Sequence, residues 1–410
     1  MRILIVSNLY PPAAVGGYEV ECSGVAERLA ENHEVIVLTS AMPGAAMPSA
    51  NVRRELTFLS VDERGALRAP GAAISAVRAA RAALAWNPDL VYAWNCAAIP
   101  QAAVRVIADS GTPLAFRVCE HWFARLFLSD QFLRELLPAR RSAARSAWSL
   151  GCRALNRLPA LRLDPTAPLR TAVSWNSDTM RRMAHPPPFA DVVAGGVCHS
   201  VPRYGDLYAA ADRHPVAEPT IVFVGRVTAV KGVDVAIEAL ALLDREHGIR
   251  ACLDVAGPDD GDYGRQMRQL AERLGVADRV RWRGPMPPPE LAELVAGASA
   301  MIVPSTWDEP FPLVTIEGAL ARVPLVASNV GGIPEGMRPE EHALFFERGD
   351  AHGAAAALTR TLREVQQTAA RVERARVRAE QFRIGPYLEA QERFVIEAHA
   401  ALTASRPQST

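Results

Sequence analysis

Lysine is nearly missing from this chain of 410 residues: Lys and Arg together number 45, and all but Lys231 are arginine. Coding bias accounts for the arginines, and a bias that strong makes the single survivor informative. Net charge is missing too, because 45 acidic residues balance the 45 basic ones. No global field therefore draws the protein to nucleic acid or to an acidic membrane. Paired cysteines are absent: Cys22, Cys96, Cys119, Cys152, Cys198 and Cys252 are scattered with no C-x-x-C motif. That spacing fits reduced thiols in a cytosolic enzyme better than a disulfide framework or a zinc site. No stretch approaches the roughly 20 apolar residues of a membrane span. The opening MRILIVSNLYPP has too short an apolar run for a secretory signal. Solenoid-period repeats are also missing. The expectation is a cytoplasmic protein, with peripheral membrane contact left open.

What is present is alternation. Short apolar runs, RILIV (2–6), EVIVLT (34–39), LVYAW (90–94), LAFRVC (114–119), TAVSW (171–175) and ADVVAGGV (190–197), alternate with helical patterns. Val20, Val25 and Leu29 suit one helix face between the first two. Strand, helix, strand in succession predicts a parallel sheet with crossover helices. A turn-rich stretch at 201–218 reads as a linker. A second series follows: TIVFVG (220–225), ACLDVAG (251–257), RVRWRG (279–284), AMIVPS (300–305) and PLVAS (324–328). Val233, Ile237, Leu240 and Leu243 share a helix face, and 351–383 and 386–402 read as helix. The fold class is α/β, with two doubly wound, Rossmann-like parallel-sheet domains at 1–200 and 219–385. The helix 386–402 is expected to pack back on the first domain. Ligands of such sheets bind at the carboxyl ends of strands.

Lys231 lies in GRVTAVKG (225–232), between a strand and a helix. A strand-to-helix turn offers free N–H groups and the positive end of a helix dipole. With Arg226 and Lys231 added, the place suits a diphosphate. A P-loop would need the glycine before the lysine, and no G-x-G-x-x-G follows the first strand. An exposed lysine at a helix start is the alternative, but a cation there is unfavourable without an anion to meet. A second stretch, EPFPLVTIE (309–317), holds Glu309 in a turn and Glu317 one turn into a helix that starts near Leu313. A carboxylate so placed accepts from two adjacent hydroxyls, as a ribose diol offers. The loop GGIPE (331–335) follows the next strand.

GRVTAVKG with VPSTWDEPFPLVTIEGALARVPLVASNVGGIPE resembles the donor half of the retaining glycosyltransferases of family GT4. YPPAAVGGYE (10–19) resembles that family's glycine loop after the first strand, with Gly16 and Gly17. The resemblance implies a GT-B fold, two domains facing a cleft, with acceptor bound by the first and nucleoside diphosphate sugar by the second. It implies that Arg226 and Lys231 hold the diphosphate, Glu317 the ribose hydroxyls, and Glu309 a hydroxyl of the sugar. Backbone N–H groups around Phe311, Leu313 and Val314 complete the donor site. Neither cofactor nor metal is implied, the partners being a nucleotide sugar and a hydroxyl-bearing acceptor.

Three departures from the family pattern stand out. Pro312 replaces a glycine and removes one N–H. Arg322 and Val323 replace a pair of small residues. In VCEHWF (118–123), alignment on Trp122 sets the family histidine on Cys119 and its aspartate on Glu120. His121 is taken as the catalytic imidazole, with Cys119 as the competing register and an aromatic acceptor wall as the plain alternative. PDDGDY (258–263) looks like a cation site and reads as a turn. The arginine-rich segment 134–170, with Trp148, Leu150 and Leu155, reads as a solvated basic face or as an anionic-surface contact. Two rival functions remain: an inactive homologue that binds a nucleotide sugar, and a PLP-dependent phosphorylase using Lys231 as its Schiff-base lysine.

Overall fold

Continuous runs of branched apolar residues favour strands buried on both faces, and in the computed structural model they form two all-parallel sheets. It describes residues 1–13, 16–41, 50–59, 64–137, 143–159, 161–214, 218–259 and 261–404. The chain divides into a first unit, Met1–Cys198 with Leu388–Thr410, and a second, His199–Tyr387.

The first unit holds β1 (Arg2–Val6), β2 (Glu34–Ala41), β3 (Val52–Thr57), β4 (Leu90–Ala93), β5 (Leu114–Val118), β6 (Leu169–Trp175) and β7 (Ala190–Val197). Their order is β3-β2-β1-β4-β5-β6-β7. Register runs from Arg2 opposite Glu34 to Val6 opposite Leu38 on one side of β1, and from Ile3 opposite Leu90 to Val6 opposite Ala93 on the other. The order reverses between β1 and β4, so the loops leaving these two strands part to opposite faces and open a crevice. β3, with sequence VRRELT, escapes the apolar-run criterion because it is a charged edge strand.

In the helix Gly17–Ala30, Val25 and Leu29 are buried as their spacing predicts, but Val20 is only partly covered. Glu19 and Glu21 are buried instead. Glu21 is there because Arg117, fully buried on β5, pairs with it at 2.8 Å and also donates to Ser174 Oγ and the Cys198 carbonyl. The guanidinium is thus matched by a carboxylate and neutral acceptors, which is what a buried charge requires. The last helix, Ile384–Ala404, is tied to this unit along its length. Tyr92 donates its hydroxyl to Gln391 Oε1 at 2.6 Å, Arg28 pairs with Glu392 at 3.0 Å, and Arg170 caps the carbonyls of Ala401 and Leu402.

The second unit holds β8 (Thr220–Val224), β9 (Cys252–Ala256), β10 (Val280–Gly284), β11 (Ala300–Val303), β12 (Leu325–Ser328) and β13 (Leu344–Phe346), in the order β10-β9-β8-β11-β12-β13. Val233, Ile237, Leu240 and Leu243 of the helix Val233–His247 are fully buried in its core. β13 spans three residues, too short to register as a run. The turn-rich stretch after Cys198 contains a helix, Gly205–Ala210, whose Gly205 packs on Leu320. Residues 351–383 form two helices, Ala351–Arg363 and Val365–Ala379, broken at Glu364. Among the described residues no helix is long and apolar enough to cross a membrane.

Candidate active site

The order of the second sheet reverses between β8 and β11, and the two singled-out motifs leave those two strands. GRVTAVKG follows β8; the stretch leading to EPFPLVTIE follows β11. The loops are stitched together: Thr306 donates its N–H to the Val230 carbonyl at 2.9 Å and its hydroxyl to Ala229 O at 2.9 Å. Gly232 turns from the short helix Ala229–Lys231 into the helix Val233–His247 at φ 69°. A Cβ there would collide with the Pro304 carbonyl, so both the left-handed backbone and the close approach demand glycine.

Lys231 and Glu309, 78 positions apart, meet directly: Nζ donates to Oε1 at 2.7 Å. Ser305 Oγ donates to the same oxygen at 2.6 Å. The Glu309 side chain is 4% exposed and that of Lys231 24%. The ammonium also lies 5.8 Å from the centre of the Trp307 ring. The other carboxylate oxygen, Oε2, has no hydrogen-bond partner among the described residues. From the next loop, Gly332 donates its N–H to the Glu309 carbonyl at 2.7 Å, and Gly331 packs against the Glu309 backbone too closely for any Cβ. Glu309 is therefore fixed from three directions with one oxygen to spare.

Arg226 follows β8 and is exposed, with no carboxylate against it among the described residues. Phe311 is buried, and Pro312 caps the helix Leu313–Leu320. Thr315 turns its N–H and hydroxyl back to the Pro312 carbonyl, whereas the N–H groups of Leu313 and Val314 have no acceptor among the described residues. Glu317 is half-buried one turn further on, and its carboxylate has no hydrogen-bond partner among the described residues. Desolvation pushes its carboxyl up to about 7. Tyr208, buried on the helix Gly205–Ala210, is pushed up by burial and then by the Glu317 charge, which places the two as neighbours. Ser305, Trp307 and Tyr208 join the site without a motif of their own; Ser305 and Trp307 lie inside the stretch VPSTWDEPFP, and Tyr208 comes from the turn-rich stretch.

In the first unit, Gly16 opens the helix Gly17–Ala30 and donates its N–H to Glu19 Oε2 at 3.0 Å. Residues 14 and 15 of the loop lie outside the described ones. The loop leaves β1 at the switch point, where Asn8 donates its N–H to the Asn95 carbonyl at 2.6 Å. Asn95 Nδ2 in turn donates to Glu120 Oε2 at 3.3 Å. Cys119 is 5% exposed; burial and then Cys119 push the Tyr18 hydroxyl well above its ordinary range. His121 is half-buried and starts the short helix His121–Arg125. The two registers therefore differ in kind: Cys119 points into packed surroundings, and His121 sits on the turn.

The remaining candidates are engaged elsewhere. Asp259 accepts from the Gly261 N–H and from Arg268 at 2.6 Å, and Asp262 pairs with Arg265. In the basic segment, residues 138–142 and the side chains of 143–147 lie outside the described ones. Trp148 and Leu155 pack against the first core while Leu150 is 65% exposed, so the three do not share one outward face.

Residues 208–378, within the second unit, match the family described as glycosyl transferases group 1. Over 179 residues the chain is 36% identical to the D-inositol 3-phosphate glycosyltransferase of Acidothermus cellulolyticus, covering 42% of this chain and 40% of that protein. Over 185 residues it is 37% identical to the enzyme of the same name from Thermomonospora curvata, covering 41% and 42%. The chain thus spans about two fifths of the length of the curated relatives it matches. Among solved structures, sucrose-phosphate synthase from Thermosynechococcus elongatus superposes with a TM-score of 0.70 at 20% identity, over 98% of this chain and 99% of that one. Anabaena HepE in complex with UDP and glucose gives 0.63 at 20% identity, over 96% and 99%. The lipopolysaccharide glycosyltransferase WaaG gives 0.60 at 18%, over 98% and 100%. The fold is GT-B.

Proposed function

We propose that this chain, whose second unit matches the group 1 glycosyl transferases, moves a sugar from a nucleoside diphosphate sugar to an acceptor hydroxyl with retention of anomeric configuration. The observation that carries the reading is the state of the charged groups on the β8 and β11 loops. Arg226 and the N–H groups of Leu313 and Val314 face no partner among the described residues, and neither do Glu309 Oε2 and the Glu317 carboxylate. Glu309 is buried, and Glu317 and the Leu313 and Val314 N–H groups are half-buried, so each forgoes bulk water as well as a protein partner, while Arg226 is exposed; these unmet groups converge on the β8 and β11 loops and are available to a ligand. Their signs divide as a nucleotide sugar requires, with cations and N–H groups for the diphosphate and carboxylates for hydroxyls.

In this reading Glu317 accepts from the ribose diol. Glu309, aligned by Lys231 and Ser305, offers Oε2 to a sugar hydroxyl. As the bond between the anomeric carbon and the diphosphate oxygen breaks, charge grows on the diphosphate, and Arg226, Lys231 and the helix start stabilise it where it develops. The acceptor oxygen bonds to the anomeric carbon on the face the diphosphate leaves, and its proton passes to a departing phosphate oxygen. His121 is assigned to the reacting sugar and the first unit to the acceptor. Two cations and a helix dipole meet the diphosphate charge, so the reading involves no metal ion.

UDP, present in the HepE structure, is the first nucleotide to try, and an inositol phosphate, from the relatives' name, the first acceptor. Titration calorimetry of UDP and other nucleoside diphosphates, with and without a chelator, tests the donor site. Binding that persists with chelator supports it, and binding abolished by chelator refutes the metal-free assignment. Binding without turnover across donors and acceptors would favour a non-catalytic homologue, for which Pro312 and Cys119 are the motivating departures.

A further inference from the structure

A pocket of ≈ 330 Å³ lies on the second unit, outside the residues assigned to the donor, lined chiefly by Arg338, Glu341, His342, Glu373, Arg374 and Arg378. Its charges do not cancel locally. Glu341 pairs with Arg338 at 3.3 Å, both side chains exposed, and Glu373 is taken by Arg376 at 2.7 Å. Arg374 donates from Nε to the Glu341 carbonyl at 2.9 Å, and its two terminal nitrogens have no acceptor among the described residues. Arg378 donates only to neutral oxygens, those of Glu335, Gly336 and the Gln381 amide. Burial first, and then the charge of Arg338, lower the Arg378 pKa, against the opposing charge of Glu341.

His342, 5% exposed at the pocket wall, adds no charge. Its Nδ1 accepts from the Arg338 N–H at 3.0 Å, which leaves the proton on Nε2, 3.4 Å from Glu341 Oε1. Burial, the largest cause, holds its pKa below the ordinary value; the charge of Glu341 opposes this, and Arg378, Arg338 and Arg374 add smaller downward contributions. The pocket is thus a concavity with three guanidinium groups, two of them without a carboxylate partner. Guanidinium forks match the paired oxygens of a phosphate, and a dianion answers two unmet cations better than a carboxylate would. The volume sits at the lower end of the range for small-molecule sites, room for a phosphate with a few attached carbons.

Arg378 also leads out of the pocket. The carbonyls it holds belong to Glu335 and Gly336, in the one-turn helix Ile333–Gly336 that closes the loop starting with Gly331 and Gly332. Gly332 donates its N–H to the Glu309 carbonyl at 2.7 Å. We propose that this pocket binds the phosphomonoester dianion of a small metabolite, and that its occupancy steadies the 329–336 loop through Arg378.

The test uses the full chain and glycerol phosphate, in a buffer free of phosphate. Calorimetry is expected to show binding to wild type and to Arg226→Ala, and affinity lower by about tenfold or more in Arg374→Gln, the loss of one charge-assisted contact. Arg374 is exposed, so this variant is expected to fold. Equal affinity in wild type and Arg374→Gln, no binding to wild type, or loss of binding in Arg226→Ala would each overturn the site. Vesicles containing phosphatidic acid present the same group on a surface. Sedimentation with them in the absence of soluble binding would assign the pocket to lipid and overturn the metabolite reading. Hydrogen exchange of residues 329–336 is expected to slow on adding glycerol phosphate to wild type and not to Arg374→Gln; unchanged exchange would overturn the link to the loop.

Discussion

Replacing Glu317 by glutamine is expected to stabilise the folded protein while weakening its nucleotide. The carboxylate is half-buried on the helix Leu313–Leu320, has no hydrogen-bond partner among the described residues, and is pushed up to about 7 by desolvation. Its value in the unfolded chain is near the ordinary 4.5. A carboxyl raised on folding favours the folded state when protonated, below pH 4.5, and that contribution is lost as pH rises through about 7. The ceiling on the loss is about 3.5 kcal/mol, at about 1.4 kcal/mol per pH unit over the 2.5 units from 4.5 to about 7. Partial exposure lets water screen the charge, so about 1–2 kcal/mol is expected in practice. Glutamine carries no charge to desolvate. The gain in Glu317→Gln should therefore be small near pH 5 and reach its full size by pH 8.5, read as a rise in urea midpoint at unchanged m. Nucleoside diphosphate affinity should fall by about 1–3 kcal/mol in the same variant, because the amide offers one acceptor oxygen and two unwanted donors. A variant that is less stable at pH 8.5, or whose gain does not change with pH, would show that Glu317 is structural. Unchanged nucleotide affinity would refute the ribose assignment.

Lys231→Ala should lower kcat by roughly 10²–10³, the scale for one preorganised charge-stabilising donor, and Lys231→Arg should recover only part of it. Full activity in the arginine variant would show that the compact ammonium is not needed between Glu309 and Trp307. A double-mutant cycle of Lys231→Ala with Glu309→Gln should give a coupling of about 1–3 kcal/mol in stability, since the two groups share a short, mostly buried bond; additive effects would contradict the pairing. His121→Ala should lower turnover and leave nucleoside diphosphate affinity intact, and damage from Cys119→Ala instead would shift the assignment to the family register.

Features written within one short segment were legible in the sequence. RILIV and TIVFV name their own strands, because burial on both faces requires a continuous apolar run. The spacing from Leu313 to Glu317 sets the carboxylate one turn into a helix, because helical periodicity is local. Edge strand β3 was not legible, since VRRELT carries the charges an exposed edge tolerates. Neither was the break at Glu364, where the next helix begins at once and no glycine or proline marks the end. What tertiary structure alone decided are the meetings between distant segments. The bond of Lys231 to Glu309 exists because the sheet order sets β8 beside β11 and the Thr306 bonds join the two loops. The raised Glu317 carboxyl beside Tyr208 and the convergence of Arg338, Arg374 and Arg378 likewise come from packing across the unit. Each depends on desolvation and on charges brought together in space, and neither quantity has a value until the chain has folded.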